Sequence, residues 1–404
     1  MSRVLSVATL ALLILIAGQG TAVGQAVVGF GVDARERPVA MLEGTRRTPP
    51  LIVRFAADGS LDASFAAEGI LRPALSGLDP GLVVQRGGGL VVGGTRGRKV
   101  ILRRYRPTGG PDPNFGGKGS ALITYGGPLQ RLLLQPGGQV IALATHSCSA
   151  SRCGYVYNNL EVRRFTAGGR LLHEYLLSEE AWELHAVGMD PRGGFVVTGN
   201  VWDLESQTYD RFWPSGAWAS SIYRDVSLKF RDEGGEEEVS PGIADLTIDA
   251  DGKLLLAVAY EAELWLRNRN GSADFSFGEG GRILCHRTPG AKEPFVANAD
   301  FAQVEIAADG KFVAAGGLGE CGLVRYLPDG TPDPSFGGDG TVNVEAAGMG
   351  QPEAISLLPD GGVLLADWDK ASGALRLARF TAEGTLTPGF GAGGIATLPV
   401  AAAG

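Results

Sequence analysis

Along the chain, short apolar runs alternate with glycine-rich turns, and within each run apolar residues recur at every second position rather than every third or fourth. A period of two is that of a strand. The clearest copies are Leu246–Leu256, Val304–Val313 and Ile355–Leu365, each with two apolar runs flanking an Asp-Gly turn. Such runs on either side of a tight turn predict a hairpin. Weaker copies lie at Val83–Val92, Leu132–Leu143 and Val187–Val197. A worn one, Val27–Met41, carries Asp33-Ala34-Arg35-Glu36 where the turn is expected.

Each hairpin is followed by a third apolar run ending in Arg and, in most copies, an aromatic residue, as in Ala374–Phe380. A second glycine turn, an Asp/Pro-rich step and Phe-Gly-x-x-Gly then lead to a last short run such as Ile395–Leu398. The Arg serves as a ruler: Arg54, Arg104, Arg164, Arg211, Arg267, Arg325 and Arg379 recur at a mean spacing of about 54 residues, within the range of repeat architectures. Five residues after it stand Gly59, Gly109, Gly169, Gly216, Gly330 and Gly384, and the fifth unit, one residue shorter, has Gly271. Eleven residues after it stand Phe65, Phe115, Phe336 and Phe390, with Tyr175 and Ile222 in units three and four and Phe277 in the shortened fifth. Two markers keeping step with the ruler establish a real period. Repeats of this length with four strands each predict propeller blades. The expected fold is therefore all-β, a seven-bladed β-propeller of about four short antiparallel strands per blade. No blade can bury both faces alone, so each needs its neighbours, and ring closure replaces capping repeats. The first hairpin and the last strand should meet in or beside one blade.

The unit Arg325 to Gly340, Arg-Tyr-Leu-Pro-Asp-Gly-Thr-Pro-Asp-Pro-Ser-Phe-Gly-Gly-Asp-Gly, resembles the delta-60 repeat, a bacterial β-propeller repeat. Arg54–Gly69, Arg104–Gly119 and Arg379–Gly394 match the same pattern, the last with Thr387 in place of Asp. Unit three lacks the Phe-Gly box, and unit four keeps least of the pattern. The resemblance extends over about residues 27–400. It implies a propeller and no common reaction.

Glycine is the outlier in composition, 62 of 404 residues, roughly twice the usual share, and with no Gly-X-Y period it marks many tight turns. The net charge of −8, with no basic stripe, excludes nucleic acid as the expected partner. Residues 1–26 read as a signal peptide: Arg3 in the n-region, an apolar Val7–Ala17 and a small-residue cleavage site at Gly24-Gln25-Ala26. That apolar stretch is shorter than the ~18 residues a span needs, and no later segment comes closer, so no membrane span is expected after cleavage. The expected domain is a single propeller over residues 27–404, exported to the periplasm or the medium, and monomeric. Of the four cysteines, Cys148 and Cys153 lie close enough for a small loop-closing disulfide. A metal there would need more soft ligands than His146 supplies. Cys285 and Cys321, in neighbouring units, are open to pairing or to remaining as two buried thiols.

The repeated Arg could line a channel and hold an anion, but a residue present in every blade serves every blade. Asp62, Asp112 and Asp333, eight positions on, and Asp274, seven on, offer partners within the unit. Where Leu172, Ala219 or Thr387 replaces the Asp, backbone carbonyls are expected to serve. The Asp-Gly turns carry single carboxylates, unlike the alternating oxygens of a calcium loop, so neither a metal nor a cofactor is expected. The acidic run Asp232–Glu238 reads as a solvated inter-blade loop. Departure from the repeat concentrates near unit four, where Trp202, Tyr209, Phe212, Trp213, Trp218 and Tyr223 gather. At a propeller mouth such residues stack on sugar rings or anchor a protein; repacking of a worn blade is the plainer account. There is no His-x-x-x-His pair, Gly-x-Ser-x-Gly elbow or phosphate-binding loop. Two readings stay open: a noncatalytic binder of a protein or glycan, and a polysaccharide hydrolase or lyase using carboxylates at the channel mouth.

Overall fold

The computed structural model describes residues 26–44, 48–75, 78–96, 99–123, 128–148, 157–177, 182–201, 206–212, 218–224, 228–232, 235–239, 243–258, 263–284, 302–316 and 321–400. The leader expected over residues 1–26 lies outside these but for Ala26, as do Cys153, Cys285, Trp202 and Trp213.

Among the described residues the regular structure is almost wholly strand, and seven sheets of four antiparallel strands follow one another in sequence. In blade one, Val27–Val32, Pro38–Leu42, Leu51–Arg54 and Ile70–Leu71 pair in chain order. The last blade repeats this with Ala354–Leu357, Val363–Asp369, Ala374–Phe380 and Ile395–Pro399. The all-β, seven-bladed expectation holds. The innermost strands of the blades between are Leu78–Val84, Leu129–Leu134, Trp182–Met189, Ile243–Ile248 and Gln303–Ile306. Each touches the next, and the ring closes where Val27–Val32 meets Ala354–Leu357.

What holds the ring is the alternation read from the sequence. A strand between two neighbouring sheets must bury both faces, and seven apolar clusters fill the seven junctions. One joins blade seven to blade one: Leu364, Ala366, Leu375 and Leu377 pack with Ala40, Leu42, Val53 and Phe55. No strand is exchanged at closure; both end blades are continuous in sequence.

Antiparallel succession gives the disc two unlike faces. Turns between strands one and two, and between three and four, emerge on one side, here the hairpin face. Turns between strands two and three, and connections to the next blade, emerge on the other, the loop face. The described residues of the acidic run are strand rather than loop: Leu228–Asp232 pairs with Gly235–Val239 as a two-stranded ribbon between blades four and five. Its register sets Lys229 opposite Glu238 and Arg231 opposite Glu236.

Candidate functional site

The repeated Arg turns out to be a clasp between blades. In blade one Arg54 is fully buried. Its Nε donates to Asp62 Oδ2 at 2.8 Å, its guanidinium lies 4.2 Å from the Phe65 ring centroid, and its Nη1 donates to the Pro107 carbonyl of blade two at 2.6 Å. Arg104 repeats this with Asp112, Phe115 and the Ala167 carbonyl of blade three. Arg379 of blade seven reaches the Ala57 carbonyl of blade one. A backbone bond runs the same way at five junctions: the amide after the repeat Phe donates to the third turn of the next blade. The pairs are Ala66 to Thr108, Gly116 to Gly168, Gly278 to Asp329, Gly337 to Glu383 and Gly391 to Asp58. This contact explains Gly59, Gly109, Gly169, Gly330 and Gly384, five residues after their Arg. Gly59 has φ +82°, and a Cβ there would stand 2.7 Å from the Gly391 amide nitrogen. No other residue type tolerates both conditions.

Three expected pairings come out differently. Asp274 bonds Lys253 at 2.6 Å rather than Arg267, which lies over the Trp265 ring at 4.8 Å. The basic residue of the hairpin, Lys253 here and Arg37 and Lys311 elsewhere, also reaches the repeat Asp. Arg379 does not rely on carbonyls alone; Glu36 at 2.7 Å and Asp360 at 2.9 Å, from the hairpins of blades one and seven, take the place of the missing Asp. Arg164 finds the Gln135 side-chain oxygen at 2.7 Å. The clasps also set the acids' titration. Burial would raise the Asp62 and Asp333 carboxyls, but their serine hydroxyls and cationic partners outweigh it and hold both low. Lys253 and Ser276 bring Asp274 down to about 2.

A second polar layer lines the central channel at three junctions, from blade five round to blade one, and was not anticipated. The inner strand of a propeller blade leaves unpaired amides on its channel edge, and side chains of the preceding blade satisfy them. Asp245 Oδ2 accepts from the Val304 amide at 2.9 Å, Gln303 Oε1 from Ile355 at 2.7 Å, Glu305 Oε2 from Leu357 at 2.7 Å, and Glu353 Oε2 from Val27 at 2.8 Å. Asp245 and Glu305 keep a little accessible surface while protein encloses their carboxyls on nearly all sides. Burial pushes Asp245 up to about 6 against the amides of Val304 and Leu246 and the charge of Arg131. Burial pushes Glu305 up to about 7; the Leu357 amide opposes this and the Asp245 charge adds to it. Glu353 is also raised, by burial and by Asp367. In sequence these residues were legible only as polar positions in apolar strands; knowing that the first strand of each unit lines the axis would have singled them out.

The aromatic set of unit four is divided. Tyr209 and Phe212 stand on the third strand of blade four, Ser206–Phe212, and Trp218 and Tyr223 on the outermost, Trp218–Arg224. Tyr209 is the cross-strand partner of Tyr223, and Phe212 of Trp218. These two strands form the rim of the disc, away from the channel, with the acidic ribbon leaving from the same blade. Arg211 stands on the same third strand. Cys148 ends the second strand of blade three. Cys321 is disulfide-bonded, with a partner whose side chain is not among those described, which removes the buried-thiol alternative for it. Among the described residues no three His, Cys, Asp or Glu side chains gather as a metal site, and no helix is long and apolar enough to cross a membrane.

A family model described as "Domain of unknown function (DUF5122) beta-propeller" matches residues 50–65 and 305–336. Both segments end on a clasp, from before Arg54 to Phe65 and from the blade-six hairpin to Phe336. The match supports a β-propeller repeat family. No curated protein matches the chain. Among solved structures, a protein from Lactobacillus plantarum is 12% identical, with a TM-score of 0.49 over 90% of this chain and 99% of its own. A putative 6-phosphogluconolactonase from Bacteroides uniformis is 14% identical, with a TM-score of 0.46 over 85% of this chain and 92% of its own. A structure from a study of two prolyl endopeptidases is 10% identical, with a TM-score of 0.53 over 90% of this chain and 49% of its own. At these identities the likeness is one of fold.

Proposed function

We propose that the protein is an exported, noncatalytic propeller of the delta-60 repeat kind that binds a protein or glycan partner through its loop face and the adjoining rim of blade four. One observation carries this reading. The repeated Arg, Asp and Phe and the channel carboxylates serve mainly to tie one blade to the next, whereas blade four keeps least of the repeat and adjoins an inserted ribbon. Export rests on the leader, and it accords with the disulfide at Cys321.

The contact residues proposed are Trp202, Tyr209, Phe212, Trp213, Trp218 and Tyr223. Aromatic anchors dominate protein and glycan interfaces because they bury much area with few rotatable bonds. The test compares the purified mature protein with a Trp213→Ala/Trp218→Ala variant on a glycan array and against isolated envelope fractions. Loss of at least ~10-fold in affinity for the ligand found supports the proposal, since one anchor contributes about 1.4 kcal/mol or more. Unchanged affinity overturns it.

The hydrolase or lyase reading keeps one favourable feature: burial raises Glu305 to about 7 and Asp245 to about 6, toward the range that suits a proton donor. Turnover of an acidic or neutral polysaccharide by the wild type, abolished in Glu305→Gln and Asp245→Asn, would establish it; no turnover across such a panel removes it.

A further inference from the structure

On the hairpin face, the junction between blades six and seven is left open. Each blade's first turn begins with a residue whose amide bonds the carbonyl four residues on: Asp33, Gln85, Gln135, Asp190, Asp249, Ala307 and Leu358. In blades one to five that residue is Asp or Gln. Gln135 shows what the position does: its Oε1 accepts from Arg164 and its Nε2 donates to the Gly193 carbonyl of the next blade. Ala307 can do neither, and a cavity of about 280 Å³ lies between blades six and seven instead. Its lining includes Lys311, Arg325, Leu357, Leu358, Asp309 and Glu383.

Arg325 faces that cavity with a donor unused. Its side chain is only 7% exposed. Its Nε bonds Asp333 and its Nη2 bonds Ser335, but Nη1, which in Arg54, Arg104 and Arg379 reaches a carbonyl of the next blade, has no hydrogen-bond partner among the described residues. Beside it, Lys311 Nζ lies 3.0 Å from Asp333 and has two further hydrogens to donate. Arg325 is deep, Lys311 is partly exposed, and Asp333 partly neutralises both. The exposed carboxylates Asp309 and Glu383 stand at the rim, and Leu357 and Leu358 supply an apolar wall. A simple anion would meet more carboxylates than cations there. A molecule with an acceptor at one end, an ammonium at the other and an aliphatic branch matches all three features. The volume is that of about nine water molecules at ~30 Å³ each, the size of such a compound.

We infer that the cleft between blades six and seven is a binding site for a small aliphatic zwitterion, an α-amino acid of the leucine or valine type. Its carboxylate bonds Arg325 Nη1 and Lys311, and its ammonium faces Asp309 and Glu383. The site is on the face opposite the one proposed for the macromolecular partner and stands independently of that reading.

Calorimetric titration of the mature protein with leucine and valine tests this, with isovalerate and isobutylamine as ligands carrying one charged end each. The expected dissociation constant for leucine is about 1 mM or tighter, with each half-ligand at least ~10-fold weaker because it forfeits one set of charged hydrogen bonds. Ala307→Gln, which supplies the side chain that blade three uses, should fold with an unchanged or higher melting temperature and abolish binding. Arg325→Lys should weaken binding by at least ~10-fold, since the free guanidinium donor is lost. Absence of heat with both amino acids overturns the inference, as does Ala307→Gln binding like wild type. Isovalerate binding as well as leucine overturns the zwitterion assignment.

Discussion

Glu305 and Gln303 sit two positions apart on one inner strand and do the same work, each accepting an amide hydrogen of the next blade at 2.7 Å. Glu305→Gln therefore keeps the bond and removes only the ionisation. Burial raises Glu305 from its ordinary 4.5 to about 7. An acid whose folded pKa is raised binds more protons folded than unfolded between the two values, so it favours folding at low pH and loses that contribution as pH rises through about 7. The shift is worth at most about 3 kcal/mol at about 1.4 kcal/mol per unit, and roughly 2 kcal/mol of it falls between pH 5 and pH 8. In urea unfolding followed by tryptophan fluorescence, the variant should gain about 2 kcal/mol on wild type from pH 5 to pH 8, with the m-value unchanged. An identical difference between the two proteins at both pH values would refute the reasoning, because it would mean that Glu305 is ionised alike in the folded and unfolded chain.

The clasp acids predict the opposite slope: Asp274 is drawn down to about 2 and Asp62 and Asp333 are held low, so their contribution is present above pH ~4 and lost as pH falls. Wild-type stability should accordingly peak between about pH 4 and 6, and Asp274→Asn should flatten the acid limb of a thermal-melt series. Arg54→Ala leaves Asp62 paired with Arg37 but removes the bond to blade two and empties the buried space over Phe65, so it should cost about 2–5 kcal/mol in denaturant unfolding, and a loss below ~1 would contradict the clasp. Gly59→Ala should cost at least ~1 kcal/mol more than Gly393→Ala, because both glycines have positive φ but only Gly59 closes on a neighbouring backbone. Dithiothreitol should lower the unfolding free energy by about 2–4 kcal/mol through the Cys321 disulfide, read as the shift in urea midpoint between oxidised and reduced protein.

The blades were legible because their signal is repeated: a single worn copy such as Val27–Met41 is ambiguous, but seven copies in step are not. The clasp was legible in part. Arg with Asp eight residues on was visible, whereas Lys253 capturing Asp274 was not, since the two belong to different turns that only the folded hairpin face brings together. Glu36 serving Arg379 spans nearly the whole chain and depends on ring closure. The channel acids were hidden for a related reason. Nothing local marks Asp245 or Glu305 as an amide acceptor, because the amide belongs to the next blade. Cys321 resolved from two alternatives to one, since pairing depends on where loops of separate units meet.

The links between blades share a direction. Arg54, Arg104 and Arg379 reach forward to a carbonyl of the following blade, each repeat Phe sends its next amide forward, and each channel acid reaches forward to an inner-strand amide. The closing junction uses the same devices: Glu353 to Val27, Arg379 to Ala57, Gly391 to Asp58. A ring joined this way needs no exchanged strand, because its last contact matches the others in kind. The same logic makes the junctions interdependent, as opening any one exposes an apolar cluster and, from blade five round to blade one, the channel layer as well. Residues built into every link cannot vary without loosening the ring. The positions free to acquire a ligand are those where a link has been relaxed: the unfilled turn at Ala307, which leaves Arg325 a spare donor, and the rim of blade four, where the repeat is least recognisable.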